Sequence, residues 1–237
     1  MNDLLKSAIE AHGGLENWRS VKSLDVTVSF KGGLFPFKGH PDGFPSVVMN
    51  IDTHKPEVVT APYPSQGRRG HYTSKLVSIR SLDGTILERR EDFHHRIHSQ
   101  QLADPWDQLD RLAFVSYAMW EYLNVPFVLA EPDFVVEEIK PLAEYGDKPW
   151  RALRVIFPDR IPVHSKEQFF YFDEQSLLRR FDFQAIGSGA HYCFDYISID
   201  GLKFPMLRRI IAKEAQNSMF QSSTGVLIEI SDIRINR

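Results

Sequence analysis

Hydrophobic residues recur at intervals of three and four through one central stretch of the chain, residues 105–124. This spacing is typical of an α-helix. Asp104 is a candidate N-cap, Pro105 suits the first helical position, and Pro126 ends the stretch. The apolar positions are Trp106, Leu109, Leu112, Ala113, Phe114, Val115, Tyr117, Met119, Trp120 and Leu123. Because they cover most of the circumference, we predict that other elements enclose this helix.

The segments on both sides of this helix show a period of two residues instead. Apolar and polar residues alternate from residue 24 to 30, which predicts a strand with one buried face. Further strands are predicted at 46–52, 56–61, 68–73, 75–81, 85–90, 134–140, 150–157, 165–172, 177–185, 190–199, 203–212 and 226–235. Asp83-Gly84 predicts a type I′ hairpin, because both residues tolerate positive φ, and Asp200-Gly201 predicts a second. A turn at 173–176 predicts a third.

The order of these elements indicates a mainly β protein. An amphipathic helix at 2–12 precedes the first strand, and strands do not alternate with helices as they do in doubly wound α/β folds. We therefore predict a single curved antiparallel sheet, an incomplete β-barrel, wrapped around the inserted helix in one domain, 1–237. Residues 35–45 are expected to form a loop or flap, and residues 91–104 to be polar and irregular.

The amino-acid composition limits which binding partners and which cellular compartment are expected. The chain has 28 basic and 31 acidic residues, a formal net charge of -3, which disfavours nucleic acid as a partner. The single cysteine, Cys193, rules out an internal disulfide and fits a reducing compartment. The N-terminal residues lack an apolar core of signal-peptide length, and no stretch is apolar enough to span a membrane. We expect a cytoplasmic protein.

Three stretches carry a resemblance to a known superfamily: EAHGGLENWRSVKSL before the first strand, YFDEQSLLRRFDF, and DYISIDGLKFPMLRRI. With these stretches the chain resembles the LolA-like half-barrels of the lipoprotein-carrier superfamily. It is also similar to an uncharacterised bacterial family that shares AHGG, PWD, HS-x-EQ-x-FYFD and LLRR. The superfamily resemblance implies an antiparallel half-barrel with an apolar cavity on its concave face.

The resemblance also implies two uses of such a cavity. Carriers of the superfamily hold acyl chains in it, and a violacein-pathway enzyme of similar fold uses it, without a cofactor, to steer the rearrangement of an indole-derived intermediate. This sequence departs from the carriers in lacking an export signal and in its longer, more aromatic inserted helix.

Aromatic residues in and after the central helix are candidates for lining a ligand pocket. The set is Trp106, Phe114, Tyr117, Trp120, Tyr122 and Phe127. Tyr117 and Trp120 are preferred, since each brings a polar atom that could orient a ligand. His164 opens a strand and is a candidate at the cavity rim. The alternative for each aromatic residue is core packing, and for His164 a structural hydrogen bond.

Candidate acid–base residues lie on neighbouring predicted strands. The two-residue period places His191, Cys193 and Asp195 on one strand face. Tyr171 and Asp182, on the adjacent hairpin, could complete a polar cluster with His191 that donates and accepts protons. The alternative is that His191 and its face are solvated while Tyr192, Phe194 and Tyr196 pack inward.

Other chemistries find no support in the sequence. Asp92, His94, His95 and His98 fit no recognised zinc spacing, so we predict no metal site. The stretch at 66–70 lacks the lysine of a phosphate-binding loop, and neither a G-x-S-x-G elbow nor a Rossmann fingerprint occurs, so no cofactor is expected.

Three functions remain open at this point. The first is binding of an apolar or aromatic small molecule between the sheet and the 105–124 helix. The second is a cofactor-independent cyclase, isomerase or lyase of secondary metabolism that uses the same cavity. The third is partner binding at the open edge of the sheet.

Overall fold

The computed structural model describes residues 1–143, 148–185, 187–213 and 223–237. The helices are α1 (Asp3–Ala11), α2 (Leu15–Arg19), α3 (Leu34–Phe37), α4 (Phe93–Ser99), α5 (Gln108–Asn124) and a 3-10 helix at Phe127–Ala130. The first six strands are β1 (Ser23–Lys31), β2 (Phe44–Asp52), β3 (Glu57–Ala61), β4 (Arg68–Thr73), β5 (Val77–Ser81) and β6 (Ile86–Arg90). The others are β7 (Val135–Leu142), β8 (Trp150–Ile156), β9 (Glu167–Phe172), β10 (Leu178–Gln184), β11 (Ser188–Ile199), β12 (Leu202–Ala212) and β13 (Thr224–Asn236).

All these strands belong to one antiparallel sheet with the order β6-β5-β4-β3-β2-β1-β13-β12-β11-β10-β9-β8-β7. Two meanders, β1 to β6 and β7 to β13, are joined where β1 pairs with β13. The two end strands, β6 and β7, are not paired with each other, so the sheet is curved but not closed into a barrel. This confirms the predicted mainly β fold.

The connection between the two end strands carries the central helix. The chain leaves β6, passes through α4, α5 and the 3-10 helix, and returns to the sheet at β7. Every residue of α5 from Leu112 to Asn124 is buried. The helix contacts β2 to β6 on one side, and on another side Arg208 of β12 donates to the Tyr122 carbonyl oxygen at 2.8 Å. The predicted enclosure of this helix is confirmed.

The start of α5 differs from the prediction. The N-cap is Asp107, whose side chain accepts from the Asp110 backbone N–H at 2.9 Å in a capping box. Asp104 instead accepts from the Gln101 backbone N–H, and residues 105 and 106 precede the helix. Fully buried Asp110 also pairs with Arg90 and Arg96, which anchors the helix start to β6 and α4.

Several local predictions are confirmed and others are corrected. Asp200-Gly201 has φ of 50° and 81°, as a type I′ turn requires. In the β5–β6 hairpin only Gly84 has positive φ, because the loop is three residues long: the Gly84 N–H donates to the Ser81 carbonyl oxygen and the Ser81 N–H to that of Thr85. Residues 91–104, predicted to be irregular, contain α4, and residues 35–45 contain part of α3. Among the described residues, no helix has the length and apolar character needed to span a membrane.

Candidate functional site

A cavity of about 370 Å³ lies between one side of α5 and the inner face of the sheet. The helix contributes Phe114, Val115, Ala118 and Tyr122, which we call the cavity face. Positions 114, 118 and 122 are four residues apart and therefore lie in one row along the helix. Since Ala118 is small and stands between two large aromatic side chains, a gap remains opposite it. Strand residues that line this gap are Phe30, Phe183, Ile210, Val226 and Ile228.

The rim of the cavity is formed by short side chains and by exposed apolar ones. Phe37 and Leu102 line the rim and are 61% and 48% exposed, although both are large hydrophobic residues. Gly189, which also lines the cavity, pairs with Phe183 across β10 and β11, and a Cβ atom at Gly189 would lie 2.7 Å from the Phe183 ring. The rim is therefore apolar and accessible from solvent.

Tyr122 and His164 bring acid–base groups to the otherwise largely apolar lining. The Tyr122 hydroxyl lies 2.6 Å from His164 Nε2, and the Tyr117 hydroxyl lies 3.1 Å from His164 Nδ1. Two histidines of α4 hydrogen-bond to the backbone of this segment. His98 Nε2 lies 2.9 Å from the His164 carbonyl oxygen, and His94 Nε2 lies 3.0 Å from the Val163 carbonyl oxygen. The imidazole is thus fixed between two tyrosine hydroxyls.

Burial keeps these groups uncharged at neutral pH. Desolvation, with smaller effects of His98 and His94, lowers the pKa of His164 to about 3. Desolvation also raises the pKa of Tyr117 and of Tyr122 well above the usual value. The cavity therefore presents neutral hydrogen-bonding groups and no ionised tyrosine or histidine.

A buried arginine lies next to Tyr122. Arg208 is 1% exposed, and its guanidinium carbon lies 5.5 Å from the Tyr122 ring centroid. Its nitrogens contact the Tyr122 carbonyl oxygen, Cys193 Sγ and His191 Nε2, the last two at 3.4 Å. Among the described residues no carboxylate forms an ion pair with Arg208. Tyr122 separates the cavity from a small pocket that Arg208 lines.

Glu121 is a second buried ionisable group in this region. Both carboxyl oxygens are fully buried, and no described residue hydrogen-bonds to them. Desolvation raises the pKa of Glu121 to about 8, against smaller opposing effects of the nearby Gln168 amide and of Arg208. At pH 7 and below, Glu121 is therefore mainly uncharged and does not neutralise Arg208.

Of the candidate ligand residues, the structure places Phe114, Tyr122 and His164 at the cavity, and Tyr117 one hydrogen bond behind His164. Trp106, Trp120 and Phe127 do not line the cavity. Trp106 packs on Phe114 and donates to Gln100, Trp120 donates to the Asp52 carbonyl oxygen, and Phe127 stacks on Trp18. These rings fill the core because Trp106 precedes α5, Trp120 projects from another side of the helix, and Phe127 follows it.

The three candidate catalytic residues do not form one cluster. The Tyr171 hydroxyl lies 3.3 Å from Asp182, which also pairs with Arg180. His191 pairs in register with Phe181, the residue before Asp182, and therefore lies on the opposite face of the sheet. His191 is fully buried beside Tyr122, so it is not on a solvated face.

Asp195 also departs from the predicted strand face. It is exposed and has a positive φ of 55°, which interrupts the alternation after Cys193. His94 and His98 are in ring contact, with centroids 4.1 Å apart, and their hydrogen bonds go to backbone carbonyls. Within the described ranges, no group of three histidine, cysteine or carboxylate side chains is arranged to hold a metal ion.

Sequence reasoning named Phe114 and Tyr122 among the candidate aromatic residues, but it did not single out Ala118, which leaves the gap between them. Ala118 is the signal that could have found it, because it is a small residue within a row of large apolar side chains on an enclosed helix. Arg208 is one of two adjacent arginines on a strand, and its burial becomes visible only from the strand register.

Similarity to known proteins is found among solved structures. No family model matches the sequence, and no curated protein matches it. A LolA superfamily protein from Nitrosomonas europaea gives a TM-score of 0.55 at 10% identity, over 98% of this chain and 94% of that one. A DUF1329 family protein from Desulfovibrio piger gives 0.49 at 10% identity, over 99% and 94%. The lipoprotein LppX from Mycobacterium tuberculosis gives 0.30 at 10% identity, over 98% and 95%.

The similarity to the Nitrosomonas europaea structure shows the fold and nothing further. The chain has a LolA-like fold, which confirms the predicted resemblance to the half-barrels at the level of architecture. The similarity to a bacterial family through AHGG, PWD and related stretches stays a prediction.

Proposed function

We propose that the protein binds an apolar small molecule in the cavity between the cavity face of α5 and the sheet. The observation that carries this proposal is the cavity itself, about 370 Å³ with largely hydrophobic walls. Small-molecule pockets span about 300–1,000 Å³ and combine apolar walls with a few polar groups. The Tyr122 and His164 side chains match that description.

The entrance supports the same function. Phe37 and Leu102 expose large apolar side chains at the rim, where a ligand with a hydrocarbon or aromatic body would contact them on entry. The free energy of binding in such a cavity comes mainly from removing apolar ligand surface from water. Among the described lining residues none is charged at neutral pH, so the lining itself offers no ion pair to the body of a ligand.

The cofactor-independent enzyme has no comparable support. Its candidate residues lie on two faces of the sheet, with Tyr171 and Asp182 on one and His191 on the other. Neither Tyr171 nor Asp182 lines the cavity. We therefore favour binding over catalysis.

We place this binding activity in the cytoplasm. The lone cysteine, Cys193, is a buried free thiol, which is compatible with a reducing compartment. Fractionation of the native host with an antibody against the protein tests the location, and recovery from the envelope or the medium would contradict it.

The proposed binding is tested by titration with N-phenyl-1-naphthylamine, which becomes fluorescent in apolar surroundings. We expect saturable binding to the wild-type protein. Ala118→Phe fills the gap on the cavity face, so we expect it to weaken binding at least about tenfold, which corresponds to about 1.4 kcal/mol. Ala11→Phe is the matched control, because Ala11 ends α1 and does not line the cavity.

Two results would overturn the proposal. One is the absence of saturable fluorescence with the folded wild-type protein. The other is an equal affinity of the Ala118→Phe and Ala11→Phe variants, since the probe would then occupy another site. Circular dichroism of both variants verifies that each retains the β-rich fold.

A further inference from the structure

The cavity carries information about the chemical class of its ligand. We infer that the ligand is a monocarboxylic acid with an apolar body, whose carboxylate accepts a hydrogen bond from the Tyr122 hydroxyl. This inference rests on the proposed binding function and deepens it. Two independent observations carry it: the number of protons available to the buried tyrosine–histidine–tyrosine chain, and the unpaired positive charge of Arg208.

The proton count follows from the partners of His164. A neutral imidazole has one N–H donor and one acceptor nitrogen, and each tyrosine hydroxyl has one proton. Tyr117 and Tyr122 occupy the two ring nitrogens of His164. The chain therefore has three protons for two hydrogen bonds, and one tyrosine proton is left to point elsewhere.

The position of the two tyrosines decides which proton is left. Tyr117 is fully buried, does not line the cavity, and makes its one described hydrogen bond to His164 Nδ1. A buried donor without a partner costs about 1–3 kcal/mol. The favourable arrangement has Tyr117 donating to Nδ1 and Nε2–H donating to Tyr122. The Tyr122 proton is then free, and Tyr122 lines the cavity.

A free hydroxyl proton at the cavity wall recognises a ligand that has an acceptor. Carbonyl, ether and carboxylate oxygens all satisfy that requirement, so the hydroxyl alone does not select among them. The charge of the surroundings provides the selection.

Arg208 supplies that charge. Its guanidinium is permanently protonated, is 1% exposed, and lies against the Tyr122 ring without a carboxylate partner in the described part of the chain. Its Nε atom has no hydrogen-bonding partner. A buried charge of this kind is unfavourable unless an opposite charge lies nearby. A ligand carboxylate at Tyr122 would provide one, whereas an ester or an alcohol would not.

The experiment compares ligands that share one chain and differ at one end. Dodecanoate and methyl dodecanoate are used to displace N-phenyl-1-naphthylamine, and the ratio of the two dissociation constants is measured for each variant. We expect the wild-type protein to bind dodecanoate at least about tenfold more tightly than the ester, as a charge-assisted hydrogen bond allows. Tyr122→Phe should lower the ratio several-fold, because the donor that holds the carboxylate is removed.

Tyr63→Phe is the matched control. Tyr63 is also a buried tyrosine, but its hydroxyl donates to the Gln108 carbonyl oxygen and lies outside the cavity. Its ratio should equal that of the wild type. Arg208→Met should lower the ratio as well, and if that variant does not fold, the Tyr122 and Tyr63 pair still decides the question.

The outcomes separate this inference from the proposed function. The inference is wrong, and the binding function stands, if the probe binds at Ala118 but the wild-type protein binds acid and ester about equally. The same holds if Tyr122→Phe leaves the ratio of the two dissociation constants unchanged. If the probe does not bind, the proposed function itself fails. Nitrogen-15 NMR of His164 gives a readout independent of ligand. We expect protonated Nε2 and unprotonated Nδ1, and the opposite tautomer would contradict the assignment of the free proton to Tyr122.

Discussion

The two sides of α5 differ in how closely the sheet approaches them. On the side of β4, Gly70 lies against Leu112, and a Cβ atom added to Gly70 would lie 2.5 Å from a Leu112 methyl group. On the side of β10 to β13, Ala118 faces a cavity of about 370 Å³. The same apolar helix is therefore tightly packed on one side and incompletely packed on the other.

This difference shows which residues decide where a half-barrel is hollow. Aromatic content does not decide it, since Trp120 is fully packed and donates to the Asp52 carbonyl oxygen. Small residues act in opposite ways on the two sides. Gly70 allows the helix and sheet to come together, whereas Ala118 leaves a gap that its neighbours do not fill. The partner opposite each small residue determines which outcome occurs.

Leu112→Ala should give the largest loss of stability. Leu112 is fully buried in the packed side, so its truncation leaves a void, and we expect unfolding to become easier by about 3 kcal/mol. Urea denaturation measures this change. Ala118→Leu, on the hollow side, is the control and should remain within about 1 kcal/mol of the wild type. Equal effects of the two substitutions would remove the distinction between the sides.

Gly70→Val tests the close approach from the strand. The added atoms must displace the Leu112 side chain, so we expect a loss of about 2 kcal/mol from overpacking. Combining Gly70→Val with Leu112→Ala should recover part of this loss, because the second change makes room. Additive effects in the double variant would show that the two residues are not in contact.

Glu121→Gln should alter how stability depends on pH. The pKa of Glu121 rises from 4.5 to about 8 on folding, so the native state holds an extra proton between these values. The contribution of Glu121 to the free energy of unfolding is therefore most favourable below pH 4.5. It falls as the pH rises from 4.5 towards 8.

The glutamine variant lacks this contribution, so its advantage over the wild type should grow with pH within that window. Denaturation of both proteins at several pH values from 5 to 8 measures the difference. A difference that does not change with pH would mean that Glu121 titrates near its usual value.

Trp120→Phe should have a smaller effect than the substitutions of Leu112 and Gly70. It removes the hydrogen bond to the Asp52 carbonyl oxygen but keeps an aromatic ring, so we expect a loss of about 1 kcal/mol. Since Trp120 does not line the cavity, the affinity for N-phenyl-1-naphthylamine should be unchanged. A marked loss of probe binding would place the binding site on the packed side instead.

The fold could be predicted because its determinants are local. The two-residue period located the strands, Asp200-Gly201 fixed a hairpin, and the all-round apolar character of α5 required enclosure. The start of α5 was misplaced by about one turn because Asp104 and Asp107 both precede a helical pattern. Only the structure shows that Asp107 accepts from the N–H three residues ahead.

The site could be predicted only in part, because it depends on long-range register. His164 was identified as a rim residue, but its partners Tyr117 and Tyr122 come from a helix more than 40 residues earlier. His191 and Asp182 were grouped although strand pairing sets them on opposite faces. A one-residue difference in register reverses the face of a side chain, and sequence alone does not fix it.

The central claim is that an apolar ligand occupies the hollow side of α5 and no other place. A methyl NMR titration with N-phenyl-1-naphthylamine tests it most directly. The methyl groups of Ala118, Ile210 and Ile228 report on the cavity. Those of Leu112 and Met119 report on buried helix positions that do not line it. The account predicts saturable shifts and probe contacts at the first three and none at the other two. Shifts at Leu112 and Met119 alone, or no shifts at saturating probe, would contradict it.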